Sequence, residues 1–255
     1  MIQKERNLQI LKILKERGVI SIKTLCNELF TSKSTIRRDL IDLEKQNLVV
    51  RTRGGVCLIK KEITEFSGNI RANINKIEKN NIADIAKNFI KDDMTLFLDS
   101  SSTVNALTKH LMPFRNLRII TNGLNTALSL VELKNVTTYV CAGKLKGMSY
   151  SIINDATNNY IDHFNADIAF LSCKYLDENF IYEADPEQAT PKQYMIKNAK
   201  KTIILADHTK LNRKSFYKIS DISNINTVIT DEKANKDFLN LLRCNTNVIY
   251  NINQI

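Results

Sequence analysis

The chain has 255 residues and carries 37 Lys+Arg against 27 Asp+Glu, a formal net charge of +10. That length suits one small and one medium domain with a real core, and no apolar run approaches the roughly 20 residues a membrane-spanning helix needs. Cys26, Cys57, Cys141, Cys173 and Cys244 are odd in number and widely spaced, which excludes a disulfide framework. With only three histidines no zinc or redox spacing can be completed, so no metal site and no cofactor are expected.

The opening Met1-Ile2-Gln3-Lys4-Glu5 is not a signal peptide, and a cytoplasmic protein is expected. Residues 1–61 hold 14 Lys+Arg against 6 Asp+Glu, whereas the other 194 hold 23 against 21. The basic excess therefore sits at the N-terminal end, as expected if only that part meets a polyanion.

In chain order, a first helix over 5–17 carries Leu8, Leu11 and Leu14, and a second over 21–30 carries Ile22, Leu25, Cys26 and Leu29. A third follows Ser32, its expected N-cap, with Ile36, Leu40 and Leu43 as a narrow apolar stripe. Ser34, Arg38 and Lys45 fall on the solvent side and Arg37 on the flank. A helix opening Lys33-Ser34-Thr35 and carrying two arginines suits the major groove, where hydroxyls reach base edges and guanidinium groups grip phosphate or guanine.

Two β-prone runs, 48–51 and 56–59, are joined through Thr52-Arg53-Gly54-Gly55, whose glycines supply the positive φ of a tight hairpin. Three helices and a basic hairpin make a winged helix-turn-helix. The expected DNA-binding residues are Ser32, Lys33, Ser34, Thr35, Arg37 and Arg38 on the helix, with Arg51 and Arg53 on the wing.

Residues 60–76 are polar and aperiodic and read as a linker, interrupted by Phe66 and Arg71. The expected domains are thus 1–59, DNA-binding, and 77–255, effector-sensing. A helix over 77–91 aligns Ile82, Ile85, Ala86, Phe89 and Ile90. Thereafter strands near 95–98, 117–120, 136–140, 168–171, 202–205 and 227–229 alternate with helices near 104–111, 124–133, 153–164, 191–199 and 234–242, and 247–250 reads as an edge strand. Such alternation predicts an α/β domain, a doubly wound and mostly parallel sheet with helices on both faces.

Ligands bind such sheets beyond the carboxyl ends of the strands. Those ends read Asp99-Ser100-Ser101-Ser102-Thr103, Thr121-Asn122-Gly123, Ala142-Gly143, Ser172, Asp207-His208-Thr209-Lys210 and Thr230-Asp231. Hydroxyls at a strand-to-helix turn, with free helix N–H groups, make an anion pocket. Lys210 supplies compensating charge, and Asp99, Asn122 and Asp207 suit the hydroxyls of a polyol, so a small phosphorylated sugar is the expected ligand. The same residue types also cap helices, which is the bland alternative at each single position. The expected effector site comprises Asp99, Ser101, Ser102, Thr103, Thr121, Asn122, Gly143, Asp207 and Lys210.

These residues also carry a resemblance. Glu5-Arg6, Thr35-Ile36-Arg37-Arg38-Asp39-Leu40, Leu43-Glu44 and Arg51 followed by Gly54-Gly55 resemble the signature of DeoR-type bacterial transcriptional regulators, although Arg53 stands where the family more often has histidine. Glu78-Lys79, Asp92-Asp93, Leu98-Asp99 with Ser102-Thr103, Thr121-Asn122, Glu187 with Lys192, Ala206-Asp207-His208-Thr209-Lys210 and Thr230-Asp231 continue it in order. The resemblance implies a sensor domain of the phosphosugar isomerase and CoA-transferase superfamily fold that binds sugar phosphates without turnover. Carried across, it selects Asp99, Ser102, Thr103, Thr121, Asn122, Asp207 and Lys210. Ser101, Ala142, Asn154 and Phe180 stand where relatives usually have glycine; a phenylalanine at 180 is expected to reshape the pocket if the pocket has changed.

The first expectation is accordingly a repressor of carbohydrate-metabolism genes that binds an operator duplex, responds to a sugar phosphate and assembles as a homo-oligomer, dimer or tetramer. A sugar-phosphate isomerase or deaminase with an appended head is the alternative, but no paired acid and base stands out. Nucleotide binding is weaker still, because no G-x-G-x-x-G or Walker sequence follows a strand.

Overall fold

The computed structural model describes residues 3–45, 48–52, 55–58, 68–147 and 149–254. It divides into two compact units, Met1–Ile74 and Asn75–Ile255.

In the N-terminal unit, α1 (Gln3–Arg17), α2 (Ile22–Glu28) and α3 (Lys33–Lys45) precede an antiparallel hairpin of β1 (Val49–Thr52) and β2 (Gly55–Leu58). The stripes of α2 and α3 converge as their spacing predicts, whereas in α1 Leu8 is 62% exposed and Ile10 takes its place beside Leu14: Ile10, Leu14, Leu25, Leu29, Ile36, Leu40, Leu43, Val49 and Val56 form one buried cluster. Ile20 adds a third rung, exchanging backbone hydrogen bonds of 2.9 and 2.8 Å with Val56. That pairing dictates Gly55: its φ is +151°, and a Cβ there would lie 2.1 Å from the Ile20 carbonyl oxygen. A further helix, α4 (Gly68–Asn73), stands in the stretch whose sequence reads as an aperiodic linker. Arg53, Gly54 and Phe66 lie outside the described residues.

The C-terminal unit runs α5 (Lys76–Ala86), β3 (Thr95–Leu98), α6 (Ser102–Asn105), β4 (Leu117–Thr121), α7 (Leu124–Leu130), β5 (Val136–Val140), β6 (Lys144–Lys146), β7 (Ser151–Ile153) and α8 (Asp155–Asp162). It continues through β8 (Ala166–Leu171), β9 (Tyr175–Leu176), β10 (Phe180–Glu183), α9 (Pro186–Lys197), β11 (Ala199–Leu205), β12 (Tyr217–Asp221), β13 (Thr227–Ile229), α10 (Lys236–Leu242) and β14 (Asn247–Ile249). Seven strands form one parallel sheet in the order β14-β13-β11-β8-β3-β4-β5.

Alternate residues of each strand feed opposite faces. Leu96, Leu98, Ile119, Ile168, Phe170, Ile203 and Leu205 pack with α5, α6 and α7. Phe97, Ile120, Ala169, Leu171 and Ile204 pack with α8, α9 and α10. The chain starts at β3, moves out to β5, then returns to β8 on the other side of β3 and proceeds to β14. The switch point therefore falls between β3 and β8, where ligand crevices form in such sheets.

All seven strands expected from sequence are present, including the 247–249 edge. α5 and α6 each give way to a 3₁₀ turn, Lys87–Phe89 and Ala106–His110, and the helices expected over 124–133 and 153–164 are also shorter, α7 ending at Leu130 and α8 starting at Asp155 because Ile153 closes β7. Two small antiparallel elements were not expected: the hairpin β6–β7 and the three-stranded sheet β12-β10-β9. Polar residues interrupt these strands, as in Lys144-Leu145-Lys146 and Tyr217-Lys218-Ile219-Ser220-Asp221, so no apolar run marks them in the sequence.

Replacing Gly55 with alanine should destabilise the N-terminal unit by about 2 kcal/mol or more, since backbone must shift to admit the methyl group. Urea unfolding followed by circular dichroism tests this; a midpoint equal to the parent's would show that the wing tolerates the Cβ.

Candidate functional site

α3 separates its residues as a helical period of 3.6 requires. Ile36, Asp39, Leu40 and Leu43 are buried, whereas Lys33, Ser34, Arg37 and Arg38 are exposed and Thr35 half-buried. Ser32 caps the helix: its Oγ accepts the Thr35 N–H at 3.2 Å and lies 2.9 Å from the hydroxyls of Ser34 and Thr35. Arg37 and Arg38 have no ion-pair partner among the described residues, so their guanidinium groups are available to a polyanion. Asp39, next in sequence, points the other way. It is 1% exposed and takes both a charge-assisted contact from Arg6 Nε and a 3.0 Å bond from Arg6 Nη2, which fastens α3 to α1.

Arg51 is half-committed. Its Nε and Nη2 donate to Glu44 Oε2 at 2.9 and 2.6 Å, and its backbone N–H donates to Glu44 Oε1 at 3.3 Å, tying the wing to the end of α3. Arg53 falls outside the described residues. Sequence reasoning passed over Phe30, which is 96% exposed at the α2–α3 turn with φ +47°, beside the start of α3. An aromatic residue just before an N-cap was the available signal.

In the C-terminal unit the switch point is held by buried charge. Asp99, fully buried, follows β3; its Oδ1 accepts the Ser101 N–H at 2.8 Å and its Oδ2 accepts the Ser172 N–H at 2.8 Å, joining the ends of β3 and β8. Lys192 from α9 places its ammonium 3.6 Å from Asp99 Oδ2, 2.5 Å from Glu183 Oε2 and 2.8 Å from the Ser172 carbonyl. Burial alone would raise the Glu183 carboxyl, but the Lys192 ammonium outweighs it and holds the group below its ordinary value. Burial likewise opposes the charged Lys192, and Glu183 with Asp99 reverse that, keeping it above its ordinary value. Burial pushes the neighbouring Cys173 thiol up to about 12.

Around this core lie the hydroxyls and two further cations. Lys210 Nζ donates to Ser172 Oγ at 2.8 Å, and Lys79 Nζ donates to Ser102 Oγ at 3.1 Å. Ser101 caps α6, its Oγ accepting the Val104 N–H at 3.2 Å. The N–H groups of Ser102 and Thr103 remain as first-turn donors that the cap does not take. Asp207 is buried, and its Oδ1 accepts from the Thr209 N–H at 3.1 Å, the Thr209 hydroxyl at 2.5 Å and the Asn75 amide at 3.0 Å. Burial would raise its carboxyl, but Lys210, the Thr209 bonds and Lys79 hold it below its ordinary value.

Thr121 and Asn122 end β4. The Thr121 hydroxyl accepts the Gly123 N–H at 3.0 Å, and Asn122 Nδ2 donates to the Ile152 carbonyl at 3.1 Å, pinning β7 to the sheet. The buried Thr103 Oγ1 and Asn122 Oδ1 find no hydrogen-bond partner among the described residues. Gly143 (φ +142°) has a packing reason for lacking a side chain, since a Cβ would lie 2.2 Å from Thr157 Oγ1 and 2.8 Å from Asn154 Oδ1.

Asn154, where the resemblance has glycine, adopts φ 106° and ψ −177°, a region that glycine enters freely. Its side chain offsets the strain by capping α8, Oδ1 accepting the Thr157 N–H at 3.3 Å. Phe180 lies half-buried in β10 with the Lys218 ammonium 3.5 Å from its ring centroid. Lys79, Lys192 and Glu183 were absent from the expected site. The signal was present for both lysines: Lys79 lies in register with Ile82 and Ala86, and Lys192 with Ala189 and Met195, so each is a cation on a buried helix face.

Two comparisons bear on this arrangement. Residues 6–62 match the DeoR-like helix-turn-helix domain, and residues 74–232 match the DeoR C terminal sensor domain. Among curated proteins, the chain is 35% identical to the HTH-type transcriptional repressor GlcR of Bacillus subtilis, over 95% of this chain and 93% of that one. It is 34% identical to the HTH-type transcriptional regulator GolR of Listeria innocua, over 91% and 92%. It is 31% identical to the glycerol-3-phosphate regulon repressor of Escherichia coli, again over 91% and 92%.

Replacing Glu183 with glutamine should cost about 3 kcal/mol at neutral pH, because it strips Lys192 of its nearest countercharge. The carboxyl is depressed in the fold, so its contribution is present above its ordinary value of 4.5 and fades as pH falls through the lower folded value. The stability gap between parent and variant should therefore narrow on acidification below about pH 4.5, as followed by denaturant midpoints across pH; a gap that stays constant would refute the ion pair.

Proposed function

The chain belongs to the DeoR family of transcriptional regulators, and on that premise we propose that it represses carbohydrate-metabolism genes by binding operator DNA through α3 and the wing, under control of a phosphorylated sugar in the C-terminal unit. The observation that carries the DNA reading is the exposure of Arg37 and Arg38, without an ion-pair partner among the described residues, on a helix whose Asp39 is locked inward by Arg6. Lys33 and Ser34 share that face; Ser32 and Thr35 set the start of the helix. Arg51, held by Glu44, positions the wing.

The effector reading is supported by the convergence of Lys79 and Lys210 on hydroxyls beside the switch point. A phosphate fits the donors of Ser102, Thr103 and the two ammonium groups, and the unpartnered Thr103 and Asn122 oxygens suit sugar hydroxyls. Asp99, Ser101, Thr121 and Gly143 shape that crevice. Binding without turnover is favoured because Asp99 and Asp207, the carboxylates that follow β3 and β11, are already engaged by backbone and side-chain donors, whereas a general base needs a free, tuned oxygen at the reacting carbon. An operator with two half-sites requires at least two copies of the chain, hence a homo-oligomer. The site of action is the cytoplasm; among the described residues no helix is long and apolar enough to cross a membrane.

Two outcomes test the reading. Alanine at Arg37 or Arg38 should each weaken operator binding by about 1–3 kcal/mol in a gel-shift titration, with parent binding falling steeply as salt rises, about 0.9 log units per log unit of salt for each phosphate contacted. Equal binding of operator and random duplex would count against it. In a thermal-shift screen, one sugar phosphate should raise the melting temperature by mass action. Lys210→Ala should lose that response while remaining folded; an undiminished response would remove Lys210 from the site.

A further inference from the structure

Asn75 opens the C-terminal unit, directly after the residue at which the N-terminal unit ends. It adopts the left-handed conformation, φ 50° and ψ 41°, and although it occupies the N-cap position of α5 its side chain does not cap that helix. The carboxamide instead spans 132 residues of sequence, donating to Asp207 Oδ1 at 3.0 Å and to Thr209 Oγ1 at 3.3 Å. Its carbonyl accepts the Lys79 N–H at 3.0 Å, so the same residue sets the first turn of the helix that carries Lys79 to Ser102.

We propose that Asn75 is a positioning residue that reports occupancy of the Asp207–Lys210 site to the backbone turn where the two units join, a regulation that rests on the sensor reading above. Asp207 Oδ1 already receives three donors, more than the two lone pairs of one carboxylate oxygen can serve well. Two of them come from Thr209, within the same 3₁₀ turn, and move with Asp207. Only the Asn75 amide comes from a distant element. A ligand hydroxyl that donates to Asp207 Oδ1 competes with that amide. Loss of the bond removes the tertiary support of a left-handed asparagine and frees the turn. Asn75 touches no ligand in this scheme; it acts through Asp207.

The test uses the full chain, a duplex from its own promoter region, and glycerol 3-phosphate, glucose 6-phosphate, fructose 1-phosphate and fructose 1,6-bisphosphate as probes. Melting temperature reads ligand binding, and operator Kd with and without probe reads coupling, which in such systems spans about 5–150-fold. Asn75→Gly keeps the left-handed turn without the amide; Asn75→Asp keeps the turn and sets a carboxylate against Asp207. Asn75→Gly should retain the thermal shift while its operator Kd changes less than about twofold on adding probe. Asn75→Asp without probe should move operator Kd in the direction that probe moves the parent. A glycine variant with the parent's full coupling overturns the proposal and leaves the sensor reading standing. Loss of its thermal shift also overturns it, by making Asn75 a ligand contact. A parent that binds none of the probes overturns both.

Discussion

The Lys192 ammonium, buried between Asp99 and Glu183, is the interaction on which the C-terminal unit depends. It lies where β3 and β8, adjacent in the sheet but separated by the whole β4–α8 excursion, must end together. Two carboxylates and one ammonium taken from water are tolerable only if each finds several partners. Here Asp99 accepts two backbone N–H groups and Lys192 donates to a carbonyl as well. The switch point is thus rigid on its inner side, and the outer cations Lys79 and Lys210 remain beside hydroxyls where an anion fits. Lys79 is itself buried and Lys210 half-buried, so both cations are held in place beside those hydroxyls by the packing around them.

The N-terminal unit uses the same device on a smaller scale. Arg37, Arg38 and Asp39 are consecutive, yet a rotation of 100° per residue sends the arginines outward and the aspartate into contact with Arg6. The inward charge fixes the pose of the helix so that the outward charges present one surface. Glu44 does for the wing what Asp39 does for α3, holding Arg51. Charged residues close in sequence therefore divide into those that build the surface and those that position it.

Departures from the glycines of the resemblance follow local conformation. Asn154 occupies a glycine-like region and offsets its strain with a cap on α8. Ser101, at φ −74°, needs no glycine and has taken on capping of α6. Phe180 sits in a strand under Lys218, so its ring is accounted for by packing.

The fold class, the seven parallel strands, the three-helix head with its wing and the ring of polar strand ends were legible in the sequence, because each is a short-range consequence of apolar period and of turn residues. The basic face of α3 was legible for the same reason, since helical geometry alone separates Arg38 from Ile36 and Leu40. What the chain order does not contain is who meets whom across distance. Only tertiary structure brought Lys192 to Asp99 and Glu183, Asn75 to Asp207, and Arg6 to Asp39, and only it formed the β12-β10-β9 sheet from strands whose polar residues leave no apolar run. Those pairings arise because a buried charge must find its opposite wherever the packed helices and sheet place one.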